Sequence, residues 1–238
     1  KTKPGTVTAI IGSTGSGKST VINLIPRLYD VSKGSVKIDG VDVRAYRQND
    51  LRSKIGFVPQ QAQLFSGTIR ENMLFGNDFA TDEDIDAALE VAQAKHFVSR
   101  LENGLDTYVS QGGKNFSGGQ KQRLSIARAL VKKPEIYIFD DSFSALDFKT
   151  DIRLRTALKG YTKQASVIIV AQRVSSIIDA DQIVVLHEGK VVGVGKHEPL
   201  LAKCKVYQEI VLSQLDADEV NKTIALQKQV LQSEGGDE

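Results

Sequence analysis

The chain has 238 residues, of which 41% are hydrophobic and 25% are charged, and its formal net charge is +2. This length and composition are typical of a globular chain with a sizeable core, folded as one large domain or as two lobes. Scattered lysines and arginines argue against a nucleic-acid partner. No apolar run approaches the roughly 20 residues of a membrane-spanning helix, and Lys1–Gly5 does not resemble a signal peptide. The single cysteine, Cys204, excludes an internal disulfide and indicates a reducing compartment.

A glycine-rich run lies near the start of the chain, between a predicted strand and a predicted helix. It fits G-x-x-x-x-G-K-[ST] from Gly12, follows the apolar run Val7–Ile11, and precedes a helix predicted around Val21–Ile25. Glycines let backbone N–H groups turn around a phosphate, and the helix adds free N–H groups and the positive end of its dipole. Lys18 is placed to reach the β- and γ-phosphates of a nucleotide, and Ser19 to bind Mg²⁺. An ordinary turn is the less favoured interpretation, because both flanks are correct. This phosphate loop comprises Gly12, Ser13, Thr14, Gly15, Ser16, Gly17, Lys18, Ser19 and Thr20.

Short strands follow the phosphate loop. Ser35–Ile38 and Val41–Val43 predict the two strands of a hairpin, because the Asp-Gly pair between them is a turn of hairpin type. Ile55–Val58 is a further strand, and Gln60 comes soon after it. A polar side chain just past the carboxyl end of a strand lies on the ligand side of an α/β sheet. Gln60 is therefore a candidate contact of a metal ion or its water, although a solvated turn is the commoner role of a loop glutamine.

From about Thr68 to Lys132 the sequence has helical periodicity. One helix is predicted between Asp84 and Phe97, and another begins near Ser117. Ser117 precedes two glycines, so the start of its helix is a candidate second anion site. Taken alone, Ser-Gly-Gly is more typical of a helix cap.

Two carboxylates follow the next buried strand. Ile136–Phe139 is an apolar run that leads into Asp140 and Asp141. A carboxylate at the end of a strand, in a chain with a phosphate loop, is suited to ordering Mg²⁺. A surface Asp-Asp turn is the alternative, and the preceding apolar run makes it less favoured.

The remaining sequence predicts more strands and then helices. Ser166–Ala171 is a buried strand that ends at Gln172, and the runs on either side of residues 187–190 predict a hairpin. Residues from Glu198 onward have helical character, and residues 216–238 are predicted as a small partner helix or a solvated tail. Strands that alternate with helices predict an α/β core with a parallel sheet. The three histidines are widely spaced and predict no zinc site.

In their order along the chain, these motifs resemble those of one family, the nucleotide-binding domains of ABC transporters. Gly12–Ser19 resembles Walker A, Gln60 the Q-loop, and the strand ending in Asp140 Walker B. Leu64–Asn72 resembles the exporter members in particular. The segment that resembles the signature motif contains Ser117, Gly118, Gly119 and Gln120, and the one that resembles the D-loop contains Ser144, Ala145, Leu146 and Asp147.

The resemblance implies a P-loop NTPase (RecA-like) α/β core with a parallel sheet and an inserted helical subdomain. It places the core at residues 1–60 and 133–215, and the helical subdomain with the signature at 61–132. Residues 216–238 are the C-terminal helix or tail. The chain begins just before Walker A, so the family's first strands and adenine-stacking tyrosine are expected upstream of it. The implied cofactors are ATP and Mg²⁺, with the metal held by Ser19, Gln60 and Asp140.

Two departures from the family pattern concern hydrolysis at the chain's own Walker site, where Gln60, Asp141 and Gln172 are the candidate catalytic positions. The family has a glutamate after the Walker B aspartate to polarise the attacking water, and this chain has Asp141, one methylene shorter. A misplacement of about 1 Å costs on the order of a hundredfold in rate. The family's switch histidine falls at Gln172, and glutamine cannot carry the imidazole charge. Slow hydrolysis is therefore expected.

The resemblance also implies partners. Two such domains close head to tail over two ATP molecules, so the intact signature is expected to complete the ATP site of a second nucleotide-binding domain. With its two departures and its intact signature, the chain resembles the degenerate half of a heterodimeric ABC exporter, whose partner domain would have the glutamate and the histidine. The chain is then an ATPase subunit of a drug or lipid exporter, joined to transmembrane domains at the cytoplasmic face of the plasma (inner) membrane, without nucleic acid. A self-sufficient homodimeric ABC ATPase and a soluble non-transport ABC clamp protein are the alternatives.

Overall fold

The computed structural model describes residues 1–214 as an α/β fold. The stretch predicted as a helix or tail, 216–238, lies outside the described residues. The strands within the described range are β1 Val7–Gly12, β2 Lys37–Ile38, β3 Val41–Asp42, β4 Ile55–Val58, β5 Gly67–Thr68, β6 Tyr108–Val109, β7 Ile136–Asp140, β8 Ser166–Val170, β9 Gln182–His187 and β10 Lys190–Gly195. The α-helices in the same range are α1 Lys18–Asn23, α2 Gln48–Ser53, α3 Ile69–Leu74, α4 Asp82–Val91, α5 Lys95–Val98, α6 Gly118–Val131, α7 Phe148–Tyr161, α8 His197–Lys203 and α9 Lys205–Leu212.

Six strands form the main sheet, in the order β10-β9-β1-β8-β7-β4. Neighbouring strands are parallel except for β10, which runs antiparallel to β9. The carboxyl ends of β1, β4, β7, β8 and β9 therefore share one edge of the sheet, the edge where α/β proteins bind ligands. The predicted α/β fold with a parallel sheet is confirmed, and so are the hairpins β2–β3 and β9–β10.

Alternate residues of the buried strands pack on opposite faces of the sheet. In β1, Ala9 and Ile11 belong to one hydrophobic cluster, together with side chains of α6, α7 and α9. Ile10 belongs to a second cluster, with Ile22 of α1 and Leu51 of α2. Burying each of these larger aliphatic side chains contributes about 1.5–3 kcal/mol. Helices thus cover both faces, and the strand ends are held by packing on either side.

A mainly helical segment is inserted between two neighbouring strands. β4 pairs with β7 along Ile55–Val58, although α3 to α6 lie between these strands in the sequence. A two-stranded sheet of β5 and β6 belongs to the same segment. The predicted helical insertion is confirmed, whereas the lobe boundaries at residues 60 and 133 stay predictions.

The single helix predicted from Asp84 to Phe97 is wrong. α4 begins after Thr81, whose side chain forms a capping box with Asp84, and ends at Val91. Gln93 then adopts φ 56°, a left-handed conformation that ends helices. α5 starts at Lys95, so the apolar residues at helical spacing belong to two helices.

Candidate functional site

The phosphate loop joins the carboxyl end of β1 to the start of α1, as predicted. Gly15 and Gly17 have φ values of 80° and 94°, a region that side-chain-bearing residues rarely adopt. Such conformations allow consecutive backbone N–H groups to converge on an anion. Gly12 is needed for a different reason, close approach. A Cβ there would lie 2.2 Å from the Leu186 carbonyl oxygen and 2.6 Å from Ser16 Oγ.

We expect Gly12→Ala to lower the free energy of unfolding by about 2 kcal/mol, because the added methyl group overlaps a backbone oxygen that cannot move without shifting β9. Urea unfolding of both proteins measures the difference. The matched control is Gly118→Ala, where the added Cβ meets no atom within 4 Å. Equal effects of the two substitutions would contradict the close approach at Gly12.

The turn between β9 and β10 supports the phosphate loop. The Gly189 N–H donates a hydrogen bond to the Ser16 carbonyl at 3.2 Å. The Ser16 side chain is 2% exposed, and its hydroxyl has no hydrogen-bond partner within the described part of the chain. The sequence predicted this hairpin but not its place against the loop. A glycine turn gives no local sign of which distant backbone it will meet.

Lys18 lies over its own loop. Its Nζ donates to the Gly12 and Ser13 carbonyls at 2.7 and 2.8 Å. Burial lowers the pKa of Lys18, while the charges of Asp141 and Asp140 oppose that shift. An ammonium held at the loop by carbonyls, near two carboxylates, is positioned to exchange those carbonyls for phosphate oxygens.

Ser19 and Asp140, two of the residues predicted to hold magnesium, lie next to each other. The Ser19 hydroxyl donates to Asp140 Oδ1 at 3.3 Å, which joins the start of α1 to the end of β7. Asp140 is 8% exposed. Burial raises the pKa of its carboxyl, the nearby charge of Asp141 adds to that effect, and the Ser19 hydrogen bond and Lys18 oppose it. A divalent cation bound here would relieve the cost of burying this negative charge.

Asp141 is held by the two other predicted site residues. Its Oδ2 accepts hydrogen bonds from Gln60 Nε2 at 3.1 Å and from Gln172 Nε2 at 2.7 Å. Asp141 is 7% exposed and has φ 46°, a left-handed conformation that aspartate tolerates better than most residues. Burial raises the pKa of its carboxyl, and donated hydrogen bonds, including that of Gln60, oppose the shift. The ends of β4, β7 and β8 therefore meet at one carboxylate.

The predicted signature lies apart from this cluster. Ser117 caps α6 and forms a capping box with Gln120, while Ser117 and Gly118 are exposed. No hydrogen bond within residues 1–214 joins Ser117–Gln120 to the phosphate loop. A Cβ on Gly119 would lie 3.4 Å from the Ala145 carbonyl oxygen, so the signature borders the predicted D-loop.

The predicted D-loop connects the carboxylates to α7. The Ser144 hydroxyl donates to the Asp141 carbonyl at 2.8 Å, and Leu146 is buried. Asp147 caps α7 by accepting from the Thr150 N–H at 3.0 Å. The remaining predicted residues Ser13, Thr14 and Thr20 are exposed on the phosphate loop.

The residues fit a magnesium-bound nucleotide. The Ser19 hydroxyl, the Asp140 carboxylate and the Gln60 amide oxygen are of the kind that Mg²⁺ prefers. Lys18 would supply positive charge for phosphate oxygens, and the Ser16 hydroxyl, which has no hydrogen-bond partner among residues 1–214, lies buried within the loop.

Residues 1–144 match the ABC transporter protein family. The chain belongs to the ABC transporter family. It is an ATP-binding domain of the ABC class of ATPases, as its motifs predicted, and its fold is that of a P-loop NTPase. Within residues 1–214, no helix has the length and apolar character required to cross a membrane.

The relatives that this chain matches are longer than the chain. It is 52% identical over 215 residues to an uncharacterised ABC transporter ATP-binding protein of Mycobacterium tuberculosis, covering 89% of this chain and 37% of that protein. It is 43% identical over 204 residues to ATP-binding cassette sub-family B member 6 of Xenopus tropicalis, covering 86% and 24%. A bacterial Atm1-family ABC exporter solved with ATP bound has a TM-score of 0.86 and 40% identity, covering 89% and 37%. The chain thus spans about 37% of the length of the first relatives that it matches.

Proposed function

We propose that this chain is the ATP-binding domain of an ABC exporter, and that it forms the degenerate half of a heterodimeric pair of such domains. The observation that carries the degenerate-half proposal is the double amide contact on Asp141, at the position where hydrolysis needs a base. The exporter assignment rests on the likeness to an Atm1-family exporter and on Leu64–Asn72. The proposed Mg-ATP contacts are Lys18, Ser19, Thr20, Gln60 and Asp140.

Asp141 is poorly placed to take a proton from water. Burial raises the pKa of Asp141, and the hydrogen bonds that it accepts reduce that rise without reversing it. Oδ2 already accepts from both amides, so this oxygen is not free to take a proton from water. Donors to a carboxylate stabilise its charged form and weaken it as a base. The Gln172 amide is neutral and is committed to Asp141. Bound Mg²⁺ would neutralise phosphate charge at this site, yet the protein groups around it hold ATP better than they hydrolyse it.

The signature is proposed to act on ATP held by another chain. Ser117 and Gly118 are exposed, and a Cβ added to Gly118 meets no atom within 4 Å. Such open backbone at the start of a 14-residue helix suits a phosphate brought by a partner. A site completed only when two domains close couples hydrolysis to movement.

An apolar groove beside the inserted segment is proposed to bind a segment of the exporter's transmembrane domains. Phe65 and Phe75 form a tilted ring pair with centroids 4.6 Å apart, and remain 49% and 63% exposed. Leu28 and Phe57 line the same groove. Exposed aromatic groups of this size are typical of protein interfaces. We propose that this contact with the transmembrane domains holds the chain at the cytoplasmic face of the membrane.

The decisive test is the double variant Asp141→Glu, Gln172→His, in the transporter isolated through a tag on this chain. Where the partner's catalytic glutamate has been changed to glutamine, we expect the double variant to raise ATP turnover about tenfold, because it restores a longer base and an imidazole. Measured Mg-ATP binding should stay within about twofold, since both positions lie outside the phosphate loop. Unchanged turnover would contradict the assignment of the defect to these positions.

Asp141→Asn is the companion variant. It keeps an oxygen acceptor for the two amides and removes the charge. With a normal partner, the proposed function predicts turnover within about twofold of the unmodified transporter, because hydrolysis occurs at the other site. A large loss, with no second ABC chain copurified, would instead support a self-sufficient homodimeric ATPase.

A further inference from the structure

Arg123 lies in the second turn of α6, just after the signature, and contacts three groups. Its Nε donates to the Gly119 carbonyl at 3.2 Å, within the signature itself. Its Nη1 donates to the Gln93 carbonyl at 2.7 Å. The guanidinium carbon lies 4.8 Å from the centroid of the Phe97 ring. One half-buried side chain therefore joins the signature to the break between α4 and α5.

The break between α4 and α5 offers a fixed anchor. Gln93 has φ 56°, so the chain leaves α4 here and the carbonyl can accept from another element. α4 itself packs against α6, which fixes the distance between the two helices. The Gln93 carbonyl lies between α4 and α5, and both helices restrict its movement relative to Arg123. The Gln93–Arg123 bond thus ties the signature helix to a defined point.

Phe116, the first residue of the segment that resembles the signature, is tied to the same point. Phe116 precedes Ser117 and contacts Phe97, with ring centroids 6.5 Å apart and planes at 60°. Phe97 is also the ring beneath Arg123. The backbone on both sides of Ser117 is therefore held by one aromatic side chain of α5, from one side through Phe116 and from the other through Arg123.

An electrostatic attraction extends this arrangement to the D-loop. Burial lowers the pKa of Arg123, and the charge of Asp147, the cap of α7, opposes that shift by attracting the guanidinium. Asp147 is also two residues beyond Ala145, whose carbonyl borders Gly119. Signature and D-loop thus meet around Arg123.

We propose that Arg123 is a positioning residue, which fixes the orientation of Ser117–Gln120 so that they meet a nucleotide held by the partner domain. This inference rests on the proposed function of the signature. Arginine suits the role, because its planar fork of N–H groups reaches two carbonyls while its face stacks on a ring. Lysine keeps the charge and loses the fork.

The test compares Arg123→Gln and Arg123→Lys in the isolated, complete transporter. We expect Arg123→Gln to lower kcat about tenfold, with Arg123→Lys between it and the unmodified protein, because lysine retains the ring contact alone. KM for ATP and direct Mg-ATP binding to this chain should stay within about twofold, since the phosphate loop is untouched.

A control separates positioning from general stability. Arg155 of α7 is also half-buried; it pairs with Asp151 at 2.9 Å and donates to the Ser176 carbonyl. Arg155→Gln should lower the melting temperature at least as much as Arg123→Gln, with kcat within about twofold of normal. If Arg155→Gln reduces kcat equally, the effect of Arg123 is one of stability and the proposal is wrong.

Ser117→Arg in the same preparation distinguishes a failure of the positioning role of Arg123 from a failure of the proposed function of the signature. If Ser117→Arg abolishes turnover while Arg123→Gln leaves kcat unchanged, the positioning role of Arg123 is wrong and the signature's function stands. If Ser117→Arg leaves turnover unchanged, the proposed function of the signature fails, and the role of Arg123 fails with it.

Discussion

Ser117→Arg is expected to reduce ATP turnover of the assembled transporter about a hundredfold, the scale of losing transition-state contacts in a catalytic site. Ser117 is the N-cap of α6, and its hydroxyl accepts a hydrogen bond from the Gln120 N–H at 3.3 Å. This end of the helix is exposed. An arginine side chain would occupy the space where a partner's nucleotide is proposed to lie. Mg-ATP binding by this chain's own phosphate loop should not change, because no hydrogen bond in the described residues joins the two regions.

The control for Ser117→Arg is Thr81→Arg. Thr81 caps α4 through the same kind of capping box, with a 3.3 Å bond from the Asp84 N–H, and it is exposed. Both substitutions remove a cap worth about 1 kcal/mol. Thr81→Arg should therefore reproduce the loss of stability with normal turnover. Steady-state ATP hydrolysis and thermal unfolding are measured for both variants. If Ser117→Arg and Thr81→Arg lose equal turnover, the signature has no special role in hydrolysis.

Lys18→Ala is expected to weaken Mg-ATP binding by about a hundredfold, equivalent to roughly 3 kcal/mol. The substitution removes the ammonium proposed to contact the phosphates, and it leaves the Gly12 and Ser13 carbonyls without their present donor. Isothermal titration with Mg-ATP measures the affinity, with unfolding curves run beside it to check that the loop still folds.

The control for Lys18→Ala is Lys54→Ala, which removes an equal charge. Lys54 pairs with Glu135 at 2.6 Å at the amino ends of β4 and β7, away from the phosphate loop. Lys54→Ala should leave ATP affinity within about twofold of normal, because Lys54 lies away from the phosphate loop. Its surface ion pair also contributes little to the free energy of unfolding. Lys18→Ala binding ATP within tenfold of normal would mean that the loop is not the phosphate site.

Local pattern predicted much of the fold, because buried strands and glycine turns have their own sequence signals. Ile55–Val58 and Ile136–Phe139 are apolar runs, each followed within two residues by a polar one, and both are strands of the sheet. The break at Gln93 was missed, since a left-handed glutamine has no clear sequence signal. α7 was not singled out either. Its buried positions, Leu154 and Leu158 among them, are few, and charged residues fill the turns between them.

The site was predictable as a set of residues but not as a set of contacts. The motifs located Gln60, Asp141 and Gln172 at strand ends, where a parallel sheet gathers ligand-side residues. That both amides donate to one carboxylate oxygen depends on the strand order β8-β7-β4 and on the backbone of Asp141. The contact of Gly189 with Ser16 likewise depends on β9 lying beside β1. Such pairings are decided by tertiary packing, which local sequence does not encode.

The interior place of β1 also determines when the nucleotide site can form during protein synthesis. Both strands that flank β1, β8 and β9, are made late, and the Val7 N–H finds its acceptor on Asp181, 174 residues downstream. At 5–20 residues per second, a ribosome needs roughly 9–35 s to cover that distance. Until β8 is made, both edges of β1 are open, a state that is prone to self-association and that chaperones bind. Nascent chains released before β9 are therefore expected to be unable to retain ATP.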